Sequence, residues 1–509
     1  LETNADLILN FDKQFNDFRL SGLVGANYRD VVYKSMGVSA SDLTVADLFS
    51  ISNVKGTPGA SNYDSEKKSN SLYASADLSY KNYLFLGVTG RNDWSSTLPS
   101  ANRSYFYPSV SLGFVFTDAF DMSSQILSYG KLRASVANVG GDTDPYRLSG
   151  AYSAGSFGGV SLFSPGRTLP PLNLKPEKTK SYEIGANLAF LNNRINLDVT
   201  YYDQVTTNQI LSVPISSTTG YSSELINAGE IENKGYEVTL NAGIVKNNPG
   251  LSWDMTVNFA SNKNYVNALY GNLKQYIIGT GPGGITTLAT PGKPWGTLYG
   301  LGYIRDKSGQ VTVDANGVPM TSSLPNQLGN VVPKWTGGIQ NTFTYKKFQV
   351  GFLVDARWGS QFFSTTLWHG YYNGSSPITV ANNVRETGVV VPGVTQDSKP
   401  NVTRVSAQDY FSGSWIWNNL EYPILDGSFV KLREMSLSYQ FNVTKLKGLH
   451  SLRIALVARN VAILYRNKIV AENGIDPETG FGGSNSGVGW EDFQLPGARS
   501  YGIKLNVGL

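Results

Sequence analysis

Ile195-Asn196-Leu197-Asp198-Val199-Thr200-Tyr201 alternates apolar and polar side chains without a break. Successive side chains of a β-strand point to opposite faces, so this stretch predicts a strand with one apolar and one polar face. The pattern recurs elsewhere. Leu251, Trp253, Met255, Val257 and Phe259 interleave with Ser252, Asp254, Thr256 and Asn258. Near the end of the chain, Tyr501, Ile503, Leu505, Val507 and Leu509 alternate with Gly502, Lys504, Asn506 and Gly508. About 15 such segments follow one another. They lie at roughly 3–15, 18–30, 68–80, 83–95, 104–117, 127–141, 178–191 and 194–211, then 229–246, 251–265, 334–346, 348–362, 429–443, 450–466 and 499–509.

A soluble β-sandwich also alternates, but here the polar face mixes Asp, Asn, Arg, Gly, Ser and Thr, and the apolar face is flanked by Tyr, Trp and Phe. That composition suits an all-β transmembrane antiparallel barrel, apolar toward lipid and polar toward its lumen, with aromatic girdles at the two interfaces. Connection lengths support it. Short ones follow the odd strands, at Asn16-Asp17, Lys81-Asn82, Asn192-Asn193, Asn247-Asn248-Pro249-Gly250 and Lys346-Lys347. Long ones follow the even strands, at about 31–67, 142–177, 266–333, 363–428 and 467–498. Short periplasmic turns and long extracellular loops are the two rims of an outer-membrane barrel. Residues 1–509 thus read as one barrel portion. An odd strand count cannot close a fully antiparallel barrel, so an odd number of further strands is expected upstream.

The 509 residues include no Cys, which removes disulfide frames and thiolate metal sites. A net charge of +4 is small for this length and gives no reason to expect nucleic-acid binding. No run of about 18 apolar residues occurs, which excludes a helical span. No secretory leader opens the chain at Leu1-Glu2-Thr3, so the natural start is expected further upstream.

Four stretches carry more than alternation. The first runs from Gly90-Arg91-Asn92-Asp93-Trp94-Ser95-Ser96 through Tyr105-Phe106-Tyr107-Pro108-Ser109 to Thr117-Asp118-Ala119-Phe120. The second is Leu174-Lys175-Pro176-Glu177-Lys178-Thr179 with Ser181-Tyr182-Glu183-Ile184-Gly185. The third is Gly229-Glu230-Ile231-Glu232-Asn233-Lys234-Gly235-Tyr236-Glu237, and the fourth Asp426-Gly427-Ser428-Phe429-Val430-Lys431-Leu432-Arg433. In this order the four stretches resemble SusC/RagA-type TonB-dependent outer-membrane transporters, and the resemblance implies a barrel of about 22 strands, an upstream plug and a TonB-contacting segment. It also implies a SusD-like surface lipoprotein as a lid, pairing of transporter–lid units, and import of oligosaccharides or, alternatively, oligopeptides into a Gram-negative, Bacteroidetes-type cell. The chain departs from the pattern at Leu509, where such barrels usually end in an aromatic.

Catalysis finds little support, and no cofactor is called for. His369 and His450 sit in an external loop and at a periplasmic turn, on opposite rims, and neither has a metal-ligand neighbour. The stretch Gly279-Thr280-Gly281-Pro282-Gly283-Gly284 lacks the Gly-Lys-Ser/Thr of a phosphate loop. Asp306-Lys307-Ser308-Gly309 through Asp314-Ala315-Asn316-Gly317 reads as a Gly-turned hairpin rather than a calcium loop.

Two residue sets remain as candidates. Trp295, Tyr299, Trp368, Tyr371, Tyr372, Trp415 and Trp417 crowd the long loops, where they either pack the loops or meet cargo or lid. Arg91, Asp93, Asp355, Arg357, Arg453 and Arg459 fall on the polar face, where they either pair with each other or a plug, or touch substrate. An adhesion barrel without transport and a passive porin are the competing functions. An upstream plug would argue against the first, an open lumen without a lid for the second.

Overall fold

Alternation at a period of two demands a ladder partner on each side, and the strands find them in sequence order. In the computed structural model, which describes residues 1–158, 160–246, 250–271, 273–443, 448–478 and 489–508, one sheet of 15 strands runs in chain order. Its strands are β1 (Glu2–Phe15), β2 (Phe18–Ser39), β3 (Gly59–Tyr80), β4 (Leu84–Ser95), β5 (Ser104–Val115), β6 (Leu127–Gly141), β7 (Glu177–Phe190) and β8 (Ile195–Thr207). They continue as β9 (Gly229–Lys246), β10 (Leu251–Leu269), β11 (Trp335–Tyr345), β12 (Phe348–Trp358), β13 (Phe429–Phe441), β14 (Ser451–Arg466) and β15 (Ser500–Gly508). Two compact units divide the chain: Leu1–Val115 with Arg133–Glu183 and Gln204–Glu230, and Phe116–Leu132 with Ile184–Asp203 and Ile231–Leu509.

In the first unit, Leu20 pairs with Leu78, Leu78 with Leu86, and Leu86 with Leu112, an apolar row across four strands. Asn27, Ser71, Asp93 and Tyr105 form a row on the other face. The apolar face is the uncovered one: Leu72 and Leu112 are exposed while Ser71 and Ser95 are buried. A water-soluble sheet does the reverse, so this inversion marks a surface made for lipid.

The second unit repeats the arrangement. Trp253, Phe343, Val350, Leu437, Leu456 and Ile503 align across β10 to β15. Ser252, Thr344, Gln349, Ser438, Ala455 and Lys504 align beside them on the polar face. Trp335 stacks on Trp358 at 6.1 Å and Trp358 on Tyr465 at 5.2 Å, an aromatic band at the loop-side strand ends.

Tight turns need left-handed residues whose twist matches the strands. Lys81 and Asn82 (φ 46° and 60°) supply them, as do Asn192 and Asn193 (φ 55° and 63°). The turn expected at 247–249 and the last residue, Leu509, lie outside the described residues.

Two connections differ from expectation. The 31–67 loop is shorter, because residues 32–39 of β2 and 59–66 of β3 continue as a two-stranded ribbon with no other strand partner among the described residues. The β5–β6 connection carries the one-turn helix Phe116–Ala119. Thr117 is fully buried there, and its hydroxyl accepts from the Gly130 amide at 3.1 Å. The Phe116 ring lies where a Cβ on Gly130 would be, 2.1 Å from its nearest atom.

Candidate functional site

The long loops of the second unit are folded. Tyr276–Thr280, Thr286–Ala289, Thr297–Gly300 and Asn326–Asn330 make a four-stranded sheet. Gln361–Ser364 pairs with Ile424–Asp426 and, in parallel, with Trp490–Glu491. The helix Thr365–Tyr372 starts at Ser364, whose hydroxyl caps the Leu367 amide. Segments distant in sequence then meet around one apolar centre: Ile285, Leu298, Phe363, Trp368, Trp415, Ile416, Leu420 and Trp490.

That centre sorts the candidate aromatics. Trp368 and Trp415 are each 6 % exposed, and their indole N–H groups donate to the carbonyls of Ile416 (2.8 Å) and Tyr410 (2.7 Å). Of the two roles open to this pair, loop packing or contact with cargo or lid, their burial and satisfied donors match packing. Tyr371 stacks on Tyr422 at 4.9 Å and is largely buried too. Burial raises the phenol pKa of Tyr303, Tyr371 and Tyr422 well above the usual range and pushes Tyr410 up to about 12. Tyr372 is exposed, and Trp417, 4.7 Å behind its ring, is half-buried. Trp295 and Tyr299 are half-buried as well, Tyr299 within the four-stranded sheet.

The two Asp-containing turns are hairpin turns. Asp306 Oδ1 accepts from the Ser308 and Gln310 amides, and Asp314 Oδ1 from the Asn316 and Val318 amides, each at 2.9 Å. Gly309 (φ 85°) and Gly317 (φ 80°) take the left-handed position that closes each turn. Both carboxylates are engaged by their own turns.

The polar-face charges gather into separate groups. In the first unit, Arg91 donates to Asp93 and to Ser71, each at 2.7 Å, and Tyr107 also donates to Asp93. The first of the four quoted stretches therefore encodes one hydrogen-bonded wall. The second encodes a seal beside it, where Leu174 packs on Leu98 and Leu225, and Glu177 accepts from the Ile210 amide at 2.7 Å.

In the second unit, Asp355 pairs with Arg433 at 2.6 Å, Arg433 with Glu478, and buried Lys431 with Asp476 (2.6 Å) and Glu478 (2.8 Å). Arg357, Lys431 and Arg433 all stand within 5.6 Å of the buried Phe429 ring. Arg453 donates to Gln440, and Arg459 pairs with Glu434 at 3.1 Å. Sequence reasoning found Asp355 and Arg357 but missed Lys431, Arg433, Asp476 and Glu478. The signal was present as a carboxylate pair in the loop after β14 and a Lys-x-Arg on β13. Burial of Glu478 works against its charge, yet hydrogen bonds from Arg433 and Lys431 outweigh it and hold the carboxyl at about 2.

A sheet that is apolar outside, hydrogen-bonded and charged on its other face, and capped by a folded loop module, has close relatives among solved and curated proteins. The family model "TonB dependent receptor-like, beta-barrel" matches residues 2–461. The chain belongs to this family. It is therefore an outer-membrane β-barrel protein of the Gram-negative envelope. It is 24% identical over 550 residues to TonB-dependent receptor P3 of Formosa agariphila, covering 99% of this chain and 52% of the relative. TonB-dependent receptor SusC of Bacteroides thetaiotaomicron is 25% identical over 429 residues, covering 78% of this chain and 40% of the relative. The fold superposes on the RagAB peptide transporter with a TM-score of 0.75 at 20% identity, over 99% of this chain and 55% of that one. The chain thus spans about half the length of the proteins it matches.

Proposed function

We propose that this chain forms much of the barrel of a TonB-energised importer that carries oligosaccharides across the outer membrane beneath a SusD-like lipoprotein lid. The observation that carries this reading is the loop module, built on its own aromatic core around Trp368, Trp415 and Trp490. A pore for passive flow has no use for such a head, whereas a receptor needs a preorganised one. A glycan cargo is what the four SusC/RagA-like stretches imply by resemblance, and the fold shared with the RagAB peptide transporter keeps oligopeptides as the alternative. In this reading Trp295, Tyr299, Tyr372 and Trp417 meet cargo or lid, while Trp368, Tyr371 and Trp415 hold the module in shape. Arg91, Asp93, Asp355, Arg357, Arg453 and Arg459 line the lumen, where Arg91 pairs with Asp93, Asp355 with Arg433 and Arg459 with Glu434.

The test is made in the native bacterium with the complete gene. Deleting residues 363–428 should abolish growth on a cognate oligosaccharide and co-purification of a surface lipoprotein, with the barrel still inserted. Unchanged growth and an unchanged complex would remove the import reading. Loss of growth on peptides alone would select the alternative cargo.

A further inference from the structure

A cavity of about 360 Å³ opens on the loop module beside the end of the helix Thr365–Tyr372. Its walls come from this helix and the short helices Val384–Thr387 and Ala407–Phe411. Three features fix what it can hold. The first is aromatic: Tyr371 and Phe411 meet edge to face at 5.5 Å, and the exposed Tyr372 ring is backed by Trp417. The second is a fixed cation. Arg385 donates from Nε to the Thr379 carbonyl (3.1 Å) and from Nη2 to the Gly374 carbonyl (2.8 Å). Among the described residues no carboxylate pairs with it, and its Nη1 donates to none of them. The third is a neutral polar rim, where the Gln408 amide is exposed and the Ser412 hydroxyl, donating to the Tyr372 carbonyl at 3.0 Å, keeps its lone pairs available.

From this juxtaposition of ring face, unpaired guanidinium and hydroxyl-pairing rim, we infer that the cavity is a subsite for a uronic-acid unit of an oligosaccharide. The C–H face of the pyranose lies on Tyr372, its carboxylate takes the free edge of Arg385, and its hydroxyls bond Gln408 and Ser412. A guanidinium held by two carbonyls has already lost its rotamer freedom, so it binds a carboxylate at little further entropic cost. The volume suits one sugar ring with part of its neighbour. Acidic peptides carry the same carboxylate, but they need main-chain partners as well. None of the described residues that line the cavity belongs to a strand, so it offers no strand edge to an extended peptide.

This inference rests on the import reading and names its cargo class. The complete protein, purified in detergent, is titrated calorimetrically with digalacturonate, with neutral digalactose and with diglutamate. Digalacturonate should bind about tenfold or more tightly than digalactose, the factor one charge-assisted contact supplies. R385Q should erase that preference, R385K should retain part of it, and Y372A should weaken both sugars. Because Arg385 also braces the 374–379 turn, R385K and Y372A keep the test readable if R385Q disturbs the loop. Equal affinity for the two sugars, a preference that survives R385Q, or tighter binding of diglutamate would each overturn the uronate subsite. Continued uptake of an oligosaccharide by the complete protein, with no preference for digalacturonate over digalactose, would leave the import reading standing while the subsite fell.

Discussion

At the scale of single residues, the family-like stretches turn out to be packing solutions with identifiable partners. Thr117-Asp118-Ala119-Phe120 looks like a motif without a task until Phe116 and Thr117 are seen closing over Gly130. A side chain at Gly130 must displace the half-buried Phe116 ring, so Gly130→Val should lower stability by about 1–3 kcal/mol. The added Phe116→Ala substitution should recover part of that loss in urea unfolding from lipid vesicles. Lys431 makes the second residue-scale case. Its ammonium and the Asp476 carboxylate are both nearly buried, and Lys431→Met would take that ammonium away from Asp476 and Glu478. Breaking such a pair from one side costs about 3–5 kcal/mol. Glu478 adds a pH dependence. Its carboxyl is held at about 2 against an ordinary 4.5, so the stabilisation is complete above pH 4.5 and is lost as the pH falls toward 2. Amide exchange of residues 474–478, corrected for intrinsic rates, should accelerate across that window. Protection that stays flat down to pH 2 would show that the carboxylate does not hold the loop.

At the scale of elements, the strand register carries the membrane argument. Val257 pairs with Ile339 on the apolar face, and Asn258 with Gly338 on the polar one. The facing expected for Val257, Phe352 and Leu505 against Asn258, Asp355 and Asn506 agrees with the observed pairings. Arg introduced at Val257, near the bilayer midplane, should cost about 2–4 kcal/mol, and Arg at Asn258 much less. Equal penalties would mean the faces are exchanged, since a slip of one residue turns every side chain over. The strands were legible because lipid on one side and polar groups on the other enforce alternation along each segment. The outer halves of β2 and β3 escaped for the same reason reversed. Tyr33, Met36, Val38 and Tyr63 are all exposed on a ribbon with neither face covered, so nothing there imposes a period of two.

At the scale of the whole molecule, barrel strands and loop module separate as sources of stability. Trp415→Ala removes a core side chain of the module and should cost that module about 3–5 kcal/mol. Limited trypsin digestion should then open residues 266–333 and 363–428, while a heat-resistant membrane-embedded core persists on gels. Loss of insertion instead would show that the strands depend on the loops. Orientation is testable in the same cells. A cysteine at Ser375 should react with an impermeant label from outside, whereas cysteines at Lys81 and Lys346 should stay silent until the outer membrane is opened.

The sequence by itself determined the strands, their faces and the alternation of short and long connections, because all of these are written in local periodicity, while the family rested on the resemblance of four motif stretches. Only the tertiary structure decided which loop aromatics are core and which are surface. Trp368, Trp415 and Trp417 all sit in aromatic-rich loop stretches, yet burial depends on Ile285, Leu298 and Trp490 arriving from distant segments. The same holds for the latch of Lys431 and Arg433 on Asp476 and Glu478, and for the Arg385 cavity. Each is a meeting of chain segments whose approach costs loop entropy and is settled by the packing of the whole module, not by any period within one segment.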